Sequence, residues 1–312
     1  MRRILLLLAL MLSPGWCQDQ SSPLDRAVNL ALADRCAEAM PLLKQAAAKV
    51  TEKDQERLAG KFGVRCAMVL NQQADAAIFL NRLQRQFPND PDILLLAVHM
   101  YSDLAYRNSQ QLMSVAPDSL EVLQLNAENF EKAGDPKKAI GEYRVLLQRA
   151  PGTPGIHYRI GGMIMEHPGA AGTLAEARKE FEEELKINPQ NASAEYYIGE
   201  LARQDDKLPE AVEHFARSVK LAPTFPEAQF GLGRALLDAG RTAESIPPLE
   251  EAARLAPRNP TVHFALATAY QRMGRQADAA REFALQKSTA DQINANTKAL
   301  HRNISGAENP KK

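Results

Sequence analysis

Aromatic side chains are scarce, at 6% of 312 residues with a single tryptophan, although 45% of the chain is apolar. A core drawn from alanine and leucine rather than bulky rings argues against an ordinary globular domain. Net charge is missing as well, because 38 Lys and Arg balance 38 Asp and Glu. With no positive surplus and no local Lys/Arg cluster, nothing steers a polyanion, and nucleic acid is excluded as the expected partner. The apolar run Ile4 to Leu12 is nine residues long. That is too short for a helix crossing about 30 Å of hydrocarbon, so no transmembrane span is expected there. The three cysteines form no C-x-x-C, which removes the usual zinc and thioredoxin-like signatures. Also absent are G-x-S-x-G, H-E-x-x-H, a P-loop and a complete G-x-G-x-x-G, since "GLGRAL" lacks the third glycine. No catalytic, cofactor or metal residues are therefore assigned.

What is present begins with an address. Arg2 and Arg3, the apolar run and then Ser13, Pro14 and Gly15 follow the order of a secretory signal. Cleavage after Cys17 would leave Gln18 first; lipidation of Cys17 is the alternative, although Trp16 occupies a position that prefers a small residue. Export to a periplasmic or extracellular space is the expectation. Cys36 and Cys66 then remain in an oxidising compartment. They read as a disulfide between the start of one helix and the end of its neighbour, or as two buried thiols.

A ruler runs through the rest. Pro117, Pro151, Pro189, Pro223 and Pro257 are separated by 34, 38, 34 and 34 residues, and twelve residues ahead of them stand Ala105, Ala139, Ala177, Ala211 and Ser245. Ala279 continues the series, while Ala76 and Ala39 extend it backwards less regularly, giving about eight units. Each unit carries two helical patterns. Leu123, Ala127 and Phe130 recur at helical spacing and stop at Gly134; Asp135 and Pro136 then open a second helix bearing Ala139, Ile140, Tyr143 and Leu147, which Pro151 ends. No stretch alternates with period two for long enough to make a strand. The fold class expected is all-α.

These motifs resemble the tetratricopeptide repeat, a 34-residue unit with L-G-x₂-Y, then A-x₃-F, then a closing proline. "IHYRIGGMI", "YYIGELA", "FGLGRAL" and "FALATAY" supply the first element, and Ala139 with Tyr143, Ala177 with Phe181, Ala211 with Phe215 and Ala279 with Phe283 supply the second. The family's tryptophan slot is held by Leu123, His157, Glu195, Gln229 and His263. His157 and His263, at equivalent positions, read as packing residues. The resemblance implies a right-handed α-solenoid of antiparallel helix pairs whose first helices line a concave groove.

The organisation expected is a signal peptide at 1–17, divergent repeats at 18–88, a shortened irregular repeat at 89–118 and a regular array at 119–286. A capping helix at 287–301 and a disordered tail at 302–312 complete it. Extra residues around "EHPGAAGT" lengthen the turn from His167 to Thr173, and Pro247 and Pro248 imply slight distortion of their helix. In "KEFEEELK", Lys179 with Glu183 and Glu182 with Lys186 are spaced as ion pairs on a solvated face.

By the same resemblance, the residue after the tryptophan slot faces the groove, giving the row Gln124, Tyr158, Tyr196, Phe230 and Phe264. Glu128, Glu131, Glu200, Arg203, Arg234 and Gln271 are its neighbours. Two readings stand: aromatic anchors for a protein or peptide partner, or rings that pack against the next helix. The Lys/Asn clamp for a bare C-terminal carboxylate is not evident. The function expected is a non-catalytic exported scaffold, with a partner in the groove, in envelope or periplasmic assembly. Its rivals are an enzyme or carbohydrate-binding module using the groove rings and exposed His167, and a solenoid that self-associates through its ends. "NAS" at Asn191 and "NIS" at Asn303 also match the glycosylation triplet.

Overall fold

The computed structural model describes residues 22–307. The expected signal segment, the alternatives at Cys17 and residues 308–312 lie outside that range. The chain divides into two compact units between Val115 and Ala116. Among the described residues every regular element is a helix, and β-pairing is limited to one isolated bridge between Pro168 and Gly172.

In the first unit, α1 (Pro23–Leu32) pairs with α2 (Cys36–Lys49), α3 (Lys53–Val69) pairs with α4 (Gln73–Gln86), and α5 (Pro91–Val115) follows alone. A capping box between Ser22 and Asp25, with Pro23 at the first helical position, starts α1. Leu43, Val64, Leu80, Leu83 and Ile93 are buried in its core. Cys36, the first residue of α2, is bonded to Cys66 in the last turn of α3, with Cα atoms 4.9 Å apart. Of the two readings open for these cysteines, the disulfide holds. The third unit of the ruler departs from its expected plan of a shortened hairpin. Residues 91–115 make one continuous helix because no glycine or proline interrupts them after Pro91.

The second unit contains five helix pairs. They are α6 (Leu120–Lys132) with α7 (Pro136–Arg149), α8 (Ile156–Glu166) with α9 (Leu174–Ile187), α10 (Ala192–Gln204) with α11 (Leu208–Leu221), α12 (Pro226–Asp238) with α13 (Thr242–Leu255), and α14 (Pro260–Arg272) with α15 (Gln276–Ala307). Consecutive helices pack on each other, and the first helices α10, α12 and α14 also touch directly. That is the stacking of an α-solenoid, in which no single pair can bury its apolar face alone.

The ruler residues explain the packing. Ala139, Ala177 and Ala211 are fully buried, as are Tyr143, Phe181 and Phe215 four residues later. Burying each such ring stabilises the fold by about 1.5–3 kcal/mol. The small residue of L-G-x₂-Y lets the rings in: a Cβ on Gly161 would lie 2.8 Å from Phe181, and one on Gly199 would lie 2.9 Å from Phe215. The turns between paired helices need a left-handed residue, met by Gly134, Gly240 and Gly274 and elsewhere by Asp34, Asn71 and Asp206.

The inserted turn runs from His167 to Thr173, and a Thr173–Glu176 capping box closes it. Pro247 and Pro248 leave α13 continuous from Thr242 to Leu255. The expected closing helix at 287–301 is not a separate element, and residues 302–307 are not tail: both continue α15, because nothing between Gln276 and Ala307 breaks a helix before Gly306. On α9 the ion pairs are Arg178 with Glu182 and Glu183 with Lys186, in place of the two pairs that spacing suggested.

Candidate functional site

The expected groove residues all lie on the first helices α6, α8, α10, α12 and α14, and their rings do not form an open stripe. Tyr158, Tyr196 and Phe230 are half-buried, and only Phe264, at 54%, is more than half exposed. Each leans on its own repeat. Tyr158 lies 6.0 Å from Phe181, Tyr196 lies 5.7 Å from Phe215 and Phe264 lies 6.1 Å from Phe283, measured between ring centroids.

The polar residues named with the row are paired. Gln124 donates to Glu128 at 2.9 Å, Arg203 to Glu200 at 3.1 Å, and Arg234 stands 3.9 Å from Asp238. Gln271 is exposed. Arg159 was not anticipated as a site residue, yet its guanidinium joins Glu131 at 2.9 Å and Glu128 at 3.8 Å. Beneath this triad the Tyr143 hydroxyl is buried and makes no hydrogen bond among the described residues. Burial, with the Glu131 and Glu128 carboxylates nearby, pushes its pKa well above the ordinary phenol range.

A cleft of about 250 Å³ opens beside the triad. Tyr158, Gly162 and Glu166 of α8 line it, with Tyr197 from α10, Glu131 and Arg159 at its rim and His167 at the start of the inserted turn. Tyr197, which sequence reasoning passed over in favour of Tyr196, stacks on Phe181 at 5.0 Å with planes 5° apart. The doubled tyrosine in "YYIGELA" was the available signal. Burial, then the Tyr158 ring and the Glu166 carboxylate, push the Tyr197 phenol up. Among the described residues no group of three or more His, Cys, Asp or Glu side chains is arranged to hold a metal.

A second pattern lies in the tryptophan slot. His157 Nδ1 meets Glu180 at 2.6 Å and His263 Nδ1 meets Glu282 at 2.8 Å; in the repeat that follows His157 the roles are exchanged, and slot residue Glu195 meets His214 at 2.6 Å. Each pair joins the first helix of a repeat to its second. Packing at His157 and His263 thus comes with a specific carboxylate partner. The His263 and Glu282 side chains are only 5% and 8% exposed, and His263 Nε2 also donates to the Pro257 carbonyl at 3.0 Å.

Fold and cleft together define a helical-repeat protein whose first helices carry half-buried rings and paired charges. Residues 169–226, 207–260 and 230–291 each match the model of the tetratricopeptide repeat, so residues 169–291 are built of tetratricopeptide repeats. Solved structures share this architecture at low identity. MamA from Desulfovibrio magneticus RS-1, from residue 41 to its end, aligns with a TM-score of 0.50 at 19% identity, over 56% of this chain and 97% of that one. A double mutant of RS-1 MamA gives 0.51 at 18%, over 57% and 98%. YrrB, described as a TPR protein with an unusual peptide-binding site, gives 0.50 at 15%, over 58% and 91%. Comparison with curated proteins gives no match.

Proposed function

We propose that this chain is an exported, non-catalytic scaffold that holds a protein or peptide partner on the groove wall of its second unit, in an assembly of the cell envelope or periplasm. The observation that carries the reading is the cleft beside Arg159, where rings, carboxylates and the flat face of Gly162 leave room for a partner's side chains. The signal-like segment and the Cys36–Cys66 disulfide support export, since such bonds persist in oxidising compartments. The peptide-binding site for which YrrB is described supports the choice of a peptide segment over a small molecule.

Steric filling tests it. A Cβ on Gly162 meets nothing within 4 Å, and the same holds for Gly141 on α7. Gly162→Trp places an indole in the cleft from a position whose Cβ is unobstructed, and Gly141→Trp adds equal bulk elsewhere. Crosslinking capture from an envelope extract should recover a partner with the parent and Gly141→Trp, and lose it with Gly162→Trp. Equal capture by all three would remove the groove wall as the working surface. Removal of the N-terminal segment should leave the protein in the cytoplasmic fraction; unchanged fractionation would remove export.

A second reading, self-association, is favoured by Leu94, Val98 and Tyr101, exposed on successive turns of α5. Light scattering should then show mass rising with concentration, and a constant monomer mass would discard it.

A further inference from the structure

We propose that the cleft beside Arg159 receives a basic side chain, a lysine or arginine of an extended partner segment, with its charged head at Glu166. This rests on the groove reading above and names the chemistry of its occupant.

The charges at the cleft do not cancel. Glu128 and Glu131 share the single guanidinium of Arg159. Glu166, on the last turn of α8, makes no side-chain hydrogen bond or ion pair among the described residues and is exposed at the cleft mouth. Three carboxylates therefore face one fixed cation. His167 adds a second cation only when protonated, and it stands at the rim. An anionic segment would meet Glu166 directly, and the one arginine available to it is already engaged.

The walls suit a long cationic side chain as well. Tyr158 and Tyr197 both line the cleft and touch each other, their centroids 6.1 Å apart, so they offer one continuous ring surface. A lysine or arginine stem packs along such surfaces while its head reaches water or a carboxylate, and a cation near tyrosine faces gains about 0.5–2 kcal/mol. Gly162 keeps the floor free of side chains, and its added Cβ would touch nothing. About 250 Å³ admits one or two side chains rather than a folded surface.

Because the whole chain has no net charge, attraction at this cleft is local and screened beyond about 10 Å at ordinary salt. The test therefore uses matched probes. Two blocked, fluorescein-labelled octapeptides of glycine and serine, one with two lysines and one with two glutamates, are titrated into the full chain and followed by anisotropy. The lysine peptide should bind more tightly, by at least about fivefold. Glu166→Gln and Tyr197→Leu should each weaken it by about three- to tenfold. Glu213→Gln removes the same charge from exposed α11 and should change nothing. Equal binding of both peptides, no binding of either, or indifference to Glu166→Gln would overturn the proposal. The partner captured in the Gly162→Trp experiment separates the two readings. If capture is lost with Gly162→Trp but unaffected by Glu166→Gln, the groove stands and the basic side chain falls; if Gly162→Trp also captures, the groove itself falls.

Discussion

His263 and Glu282 show what a single position does in this protein. Their pair is buried, so removing one partner strands the other's charge or proton in a dry interface at a cost of about 3–5 kcal/mol. His263→Ala should lower the free energy of unfolding measured by urea titration by that amount. Exchanging the two residues, His263→Glu with Glu282→His, should restore most of it, because Glu195 and His214 already use the reversed order. Failure of the exchange would show that Pro257, which also accepts from His263, fixes the orientation. Tyr143 behaves oppositely. Its hydroxyl is an unsatisfied group in the core, and Tyr143→Phe should stabilise the protein by about 1 kcal/mol. The phenols also set the alkaline limit. Burial, helped by the Glu250 carboxylate, pushes Tyr270 up to about 12, and Tyr143 and Tyr197 are raised too. Unfolded tyrosines release their protons near pH 10. Stability is therefore intact below about pH 10 and falls as pH rises beyond it, a decline that thermal midpoints between pH 8 and 11 will show.

Between residues and the whole, the helix pair is the unit that the sequence spells out. Proline, alanine and ring at fixed offsets locate α6 to α14, since those residues end helices, admit close approach and fill the space so created. The adjacent glycines of α8 separate these roles. Gly161→Ala forces a Cβ against Phe181 and should cost about 1–3 kcal/mol, while Gly162→Ala meets nothing and should gain about 0.5–1 kcal/mol. Circular dichroism melts of the two variants give the comparison directly. What spacing did not reveal has physical reasons. Residues 91–115 carry a repeat-like alanine at Ala105 but no breaker, so helix propensity runs through them. The His–Glu pairs stayed hidden because their members lie 19 or 23 residues apart on different helices, and a slot read one column at a time shows only degeneration. The cleft stayed hidden because Arg159 and Tyr197 lie one residue off the expected groove row.

As a whole molecule, the chain joins two units with different stabilising devices. The first has the disulfide, closing a separation of 30 residues, and the second has the registered repeats. Reduction should remove about 3–4 kcal/mol from the first unit through regained chain entropy. Hydrogen exchange with and without dithiothreitol should show faster amide exchange confined to residues 22–115. Loss of protection throughout α6 to α15 would contradict that picture. The balance of charge over the whole chain leaves recognition to local features such as Glu166, so binding should respond to single substitutions more than to overall charge. Finally, each His–Glu pair is self-contained within its repeat, and Phe181 and Phe215 occupy equivalent places. A duplication or loss of one whole unit, for example residues 189–222, would splice matching surfaces together without orphaning a pair. The length of this array is thus open to evolution by recombination, and the number of side chains it can grip along a partner changes with it.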